Sequence, residues 1–134
     1  MAIAETKRVL ERHLNGLIPT LPTAYEAVSF TPPTTMYQRV QLVIRKPTDP
    51  VIGAGYHRDN LQLQIFIVGE ANKGTAESII RAELIRSRFK KGTTFQEGLF
   101  RIHILETPTV GSVQPIGTRT IIPVLIDVTT EVYA

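Results

Sequence analysis

Apolar residues recur with a period of two in four separate segments of this chain. In residues 37–46, Val40, Leu42 and Ile44 alternate with Arg39, Gln41 and Arg45. In residues 61–69, Leu61, Leu63, Ile65 and Ile67 share one face and Gln62 and Gln64 the other, which turns apolar at Phe66 and Val68. Residues 99–105 set Phe100, Ile102 and Ile104 against Arg101 and His103, and residues 119–130 carry Ile122, Val124, Ile126 and Val128 on one face. Side chains of an extended strand point alternately to its two faces, so each segment predicts a strand with one face in a core. Consecutive alternating strands most simply pair antiparallel. Pro123 has no N–H for a ladder, which predicts that the last strand lies at an edge or bulges there.

Two segments follow a helical period instead. Over residues 3–17, Ile3, Leu10, Leu14 and Leu17 fall on one face, opposite Glu5, Lys7, Arg8, Glu11, Arg12 and Asn15; Gly16, Pro19 and Pro22 end the run. Over residues 75–90 there are two apolar stripes, Ala76, Ile80 and Leu84 on one side and Ser78, Ala82, Ile85 and Phe89 on the other. A helix on the surface of a monomer needs one stripe, so the second calls for a further packing partner, either a second layer inside a thick domain or, as the small size favours, another subunit. Residues 24–30 read as a short strand, broken by Pro32 and Pro33. The expected fold is an α+β domain spanning 1–134, an antiparallel sheet of four to five strands with two helices packed on one face. A fourteen-residue link, 47–60, joins two of its strands. Ordinary hairpin loops take about two to five residues, so this one reads as a contact arm, carrying Asp49, Tyr56, His57, Arg58 and Asp59.

Composition narrows the chemistry. The 134 residues include no Cys and no Trp, which removes disulfides, thiolate nucleophiles and cysteine metal sites. His13, His57 and His103 stand apart in the sequence, with no metal-ligand spacing. Gly53-Ala54-Gly55 begins a dinucleotide fingerprint, but Arg58 stands where the third glycine belongs. No catalytic, cofactor or metal site is therefore expected. A net charge of +3 is too slight to signal nucleic acid, and the basic residues Arg81, Arg86, Arg88, Lys90 and Lys91 gather where a helix C-terminus favours cations. The longest apolar run, Ile121–Ile126, is far short of the ~20 residues of a membrane helix. The N-terminus lacks a basic start and apolar block, so a soluble, intracellular product without a signal peptide is expected.

The order of features is itself informative. An amphipathic helix precedes Val28-Ser29-Phe30-Thr31-Pro32-Pro33, and Tyr37-x-Arg39-Val40 opens a strand. The glycine-containing loop leads through Arg58 into Leu61-Gln62-Leu63-Gln64-Ile65-Phe66-Ile67. A helix follows Asn72-Lys73-Gly74-Thr75, and Arg119-x-Ile121-Ile122-Pro123-Val124 opens the last strand. Over essentially its full length the chain resembles the bacteriophage tail terminator-like proteins, also called tail-completion or minor tail proteins. That resemblance implies a virion protein with no enzyme activity or cofactor. It implies a ring, usually of six subunits, on the head-proximal end of the tail tube, stopping polymerisation and offering a surface to the head connector, with DNA passing through the lumen. The expected partners are further copies of the chain, the tube protein and a head-completion protein, with no membrane. Contacts are expected from Arg45, Asp49, His57, Arg58 and Asp59 in and beside the long loop, and from the helix stripe Ala82, Ile85 and Phe89. A head–tail connector, or a small nucleic-acid-binding protein, is the alternative reading.

Overall fold

The computed structural model describes residues 2–50, 52–53 and 55–133. In chain order these form α1 (Ala2–Asn15), β1 (Thr23–Ala24), β2 (Tyr37–Ile44), β3 (Tyr56–Val68), α2 (Ala76–Arg88), β4 (Thr94–Glu97), β5 (Phe100–Ile104), β6 (Thr109–Val110), β7 (Gln114–Ile116) and β8 (Arg119–Tyr133). The strands make one open sheet in the order β1-β2-β3-β8-β5-β4, with β6 and β7 also paired to β8. The α+β class holds, but the sheet has eight strands and not four to five, and it is mixed, because β1 runs parallel to β2.

The alternation places the core as the sequence requires. Leu61, Leu63, Ile65 and Ile67 of β3 lie opposite Val128, Ile126, Val124 and Ile122 of β8, and all are buried. Ile102 and Ile104 of β5 and Val40 of β2 extend the same face. Leu10 and Leu14 of α1 and Ala82 and Ile85 of α2 close over it, with Phe89 just beyond. The helices are clasped together. His13 Nε2 donates to the Arg88 carbonyl at 2.8 Å, and Arg88 Nε donates to the His13 carbonyl at 3.0 Å. The His13 ring stands edge-on to Phe89 and Phe95, and burial pushes its pKa down.

The last strand is not at an edge. β8 is central, flanked by β3 on one side and by β5, β6 and β7 on the other. Pro123 fits there because of which way its backbone points. Gly69 N–H donates to the Thr120 carbonyl on the β3 side, and Gly111 N–H donates to the Pro123 carbonyl on the other, both at 2.8 Å. The Pro123 nitrogen therefore faces the gap between β6, ending at Val110, and β7, starting at Gln114, where no strand needs its donor. Gly111 is required at that crossing: a Cβ on it would lie 2.6 Å from Pro123 Cγ.

The expected strand over 24–30 shrinks to Thr23–Ala24. Ala27 adopts a left-handed φ of 57°, which ends extended pairing. The Glu26 carboxylate, not a backbone carbonyl, takes the next free N–H of β2, that of Leu42, at 2.7 Å. The fourteen-residue link also shortens, because β3 starts at Tyr56 and pairs with β8 as far as Tyr133. Residues 45–55 remain as the connection, closed at its foot by two Thr48–Arg58 backbone hydrogen bonds of 2.8 and 2.9 Å.

Candidate functional site

The residues expected to form one contact arm are carried to three places. Asp49 is exposed in the connection 45–55, which also holds a fully exposed Ile52. Arg45 is exposed at its foot, its N–H bound to the Asn60 carbonyl at 2.9 Å. His57, Arg58 and Asp59 belong to β3, so successive side chains go to opposite faces. His57 and Asp59 lie on the helix side, 3.5 Å apart between Nε2 and Oδ1. Both line a groove of about 800 Å³ beyond the start of α1. Its walls are mainly apolar: Ala2, Ile3, Leu42, Ile44, Phe100 and Val132.

Arg58 emerges on the face without helices, within a cluster that the sequence did not single out. Glu131 of β8 lies opposite it across the ladder and is the hub. Tyr56 Oη donates to Glu131 Oε1 at 2.9 Å, and Arg58 Nε donates to Tyr56 Oη at 3.0 Å. His103 Nε2 donates to Glu131 Oε2 at 2.9 Å, and Tyr133 Oη to the same oxygen at 3.2 Å. The hydrogen bond from His103, then that from Tyr56, holds the Glu131 carboxyl below the usual glutamate range. Three donors from three strands, Tyr56, His103 and Tyr133, converge on one carboxylate, and Arg58 adds an ion pair to it at 3.7 Å, which ties together the side chains of this sheet face. The only sequence signal was period two itself, which puts Tyr56, Arg58, Glu131 and Tyr133 on one face once the register is known.

The stripe Ala82, Ile85 and Phe89 is not a surface. All three are fully buried against the sheet, so they cannot meet another subunit without opening the core. The outward stripe is the other one, Ile80 (58% exposed) and Leu84 (37%), joined by Ile79 (38%). Both stripes were visible in the sequence; which one faces the sheet depends on how α2 is rolled onto it. Ser78 and Arg81 accompany the inner stripe. Arg81 is buried, donating to the Pro19 carbonyl and to Gln38 Oε1, so it is a fastener of the chain between α1 and β2 and not part of a basic surface. Arg119 does the same for the proline-rich segment, donating to the carbonyls of Pro33, Thr35 and Gly69 at 2.7–2.9 Å.

Among the described residues no group of three or more His, Asp or Glu could hold a metal ion. Among the described residues no helix is long and apolar enough to cross a membrane. What the surface displays is an apolar helix stripe, an apolar groove, an exposed loop and an ordered polar sheet face. The family described as "Phage tail terminator protein" matches residues 6–127, and the chain belongs to that family. It is a structural protein of the phage tail and hence a virion component. A solved structure whose name states no function shares the fold, with a TM-score of 0.79 at 17% identity, covering 100% of this chain and 99% of that one. No curated protein matches the chain.

Proposed function

We propose that this protein closes the head-proximal end of the tail tube as a ring of identical subunits. The ring occupies the docking surface of the last tube layer and so stops polymerisation. Its opposite face receives a head-completion or connector protein, and DNA passes through the lumen without being read. The family match over residues 6–127 carries this reading. The surfaces support it: the outward stripe Ile79, Ile80 and Leu84 is an apolar patch of the kind that marks protein contacts. The connection around Arg45 and Asp49 is an exposed arm suited to the tube, and His57 and Asp59 in the groove and Arg58 on the sheet face are placed for neighbouring subunits.

The test is polymerisation of purified tube protein with and without this chain. Added chain is expected to arrest growth and to leave one end of each tube decorated. Unchanged length distributions with bare ends, or decoration of portal complexes in place of tube ends, would overturn the proposal.

A further inference from the structure

We infer that copies of this chain join helix to sheet, the outward stripe of α2 in one copy packing on the bare face of β3 and β8 in the next. This rests on the ring reading above and names the contact that builds the ring. The observation behind it is a sheet face that is apolar where no helix covers it. Phe66 of β3 and Ile121, Pro123 and Leu125 of β8 lie on the side away from α1 and α2 and stay partly exposed. The solvent face of an antiparallel sheet normally carries polar residues, as this one does farther along at Gln62, Asp127 and Glu131. An apolar stretch on such a face marks a contact, and α2 carries the other surplus stripe, Ile79, Ile80 and Leu84.

Three features fit a second copy to this face. First, level along the strands. Ser78, near the start of α2, lies against the residues that follow the Val68–Ile121 pair: a Cβ on Gly69 would meet Ser78 Oγ at 2.7 Å and Thr120 Oγ1 at 2.8 Å. At the other end, Phe89 meets the His13 ring, which meets Phe95, and Phe95 is level with Asp59 through Ile102 and Thr130. α2 therefore spans the levels from Val68 back toward Asp59. The bare patch, from the Val68–Ile121 pair to the Gln64–Leu125 pair, falls within that span on the opposite side of the sheet. A ring axis along the strands brings stripe and patch together with no shift along the strands. Second, charge. The exposed cations Arg86, Lys90 and Lys91 stand at the end of α2, and exposed Asp127 stands at the matching end of the patch, level with Gln62. At the other end, Glu77 in the first turn of α2 answers Arg39, whose guanidinium lies over the Phe66 ring at 5.2 Å. Among the described residues none of these charges has an ion-pair partner in its own copy. Third, sidedness. The two surfaces differ and lie on opposite sides of a two-layer domain, so the contact is head-to-tail and passes round a ring without stopping at a dimer. Each sheet then has helices on both faces, its own pair on one and the neighbour's α2 on the other.

The chain has no cysteine, so introduced ones report cleanly. Ser87 is exposed on the turn of α2 after Leu84, and Gln64 lies on the bare face opposite Leu125. Ser87→Cys, Gln64→Cys and the double variant would be treated with a short flexible bismaleimide, alone at high concentration and with tail tubes present. The double variant is expected to give a ladder of covalent multimers and each single variant only monomer. Cross-linked dimers from either single variant, which report like-with-like pairing, would overturn the inference. So would a double variant that caps tubes but stays monomeric; that result leaves the capping role standing, whereas wild-type chain that fails to arrest tubes removes the role itself. Hydroxyl-radical footprinting of the unmodified chain guards against misfolded variants. On assembly, oxidation of Ile80 and Leu84 and of Phe66 and Leu125 should slow together, by at least about threefold, as side chains enter an interface core. Slowing at Ile80 and Leu84 alone, with Phe66 and Leu125 unchanged, would give the stripe to another partner and overturn the contact.

Discussion

Phe89 and Ile80 belong to the same helical segment and are both large apolar residues, yet their substitutions should differ sharply. Phe89 is fully buried beneath the His13 ring, so Phe89→Ala is expected to cost about 3–5 kcal/mol in denaturant unfolding. Ile80 faces solvent, so Ile80→Asp should move stability by less than about 0.5 kcal/mol while weakening tube capping. Equal losses of stability in the two variants would mean that α2 is rolled differently. Glu131 makes a pH prediction. Its folded pKa is held below the ordinary 4.5, so its contribution is fully present above that value and is lost as pH falls through the folded pKa. Glu131→Gln should therefore flatten the acid limb of stability below about pH 4.5 relative to wild type, read as midpoint against pH. An unchanged acid limb would show that the Tyr56–Arg58–His103–Tyr133 cluster adds nothing to folding. No spacing rule could have found this hub, because its members come from positions 56 to 133 and meet only through strand register.

At the scale of the element, local pattern and tertiary context divide the credit. The strands 37–46, 61–69, 99–105 and 119–130 were legible because a half-buried sheet imposes period two on side chains. The short strands β4, β6 and β7 were not, and β1 was read too long, over 24–30, because two to four residues carry no period and are held in place by β2, β5 and β8. The long link looked like loop down to Asn60 because Tyr56-His57-Arg58-Asp59-Asn60 is polar; it is strand because β8 extends far enough to pair it. Pro123 pointed to an edge or a bulge, and sequence alone could not show that its missing donor faces a gap beside Gly111 in a central strand. That geometry is testable: Gly111→Ala should destabilise the fold, since its Cβ would lie 2.6 Å from Pro123 Cγ, and Pro123→Ala in the same chain should restore part of the loss. A thermal melt of Gly111→Ala indistinguishable from wild type would contradict the close crossing.

For the whole molecule, small size and surplus contact surface belong together. One sheet and two helices make a core whose inner face is filled by α1 and α2, and what remains apolar points outward: the α2 stripe, the groove, Leu99 and Ile52. The sequence alone supported the family and the presence of a surplus stripe; it could not say which stripe was surplus, nor that the sheet ends open. The central claim is that this chain sits where tail growth stops. The most direct measurement is the position of the labelled protein in electron micrographs of the virion. Label confined to the head–tail junction, with tails of irregular length when the chain is absent, is the expected result. Label along the tube or at its distal tip, or tails of normal length without the chain, would contradict it.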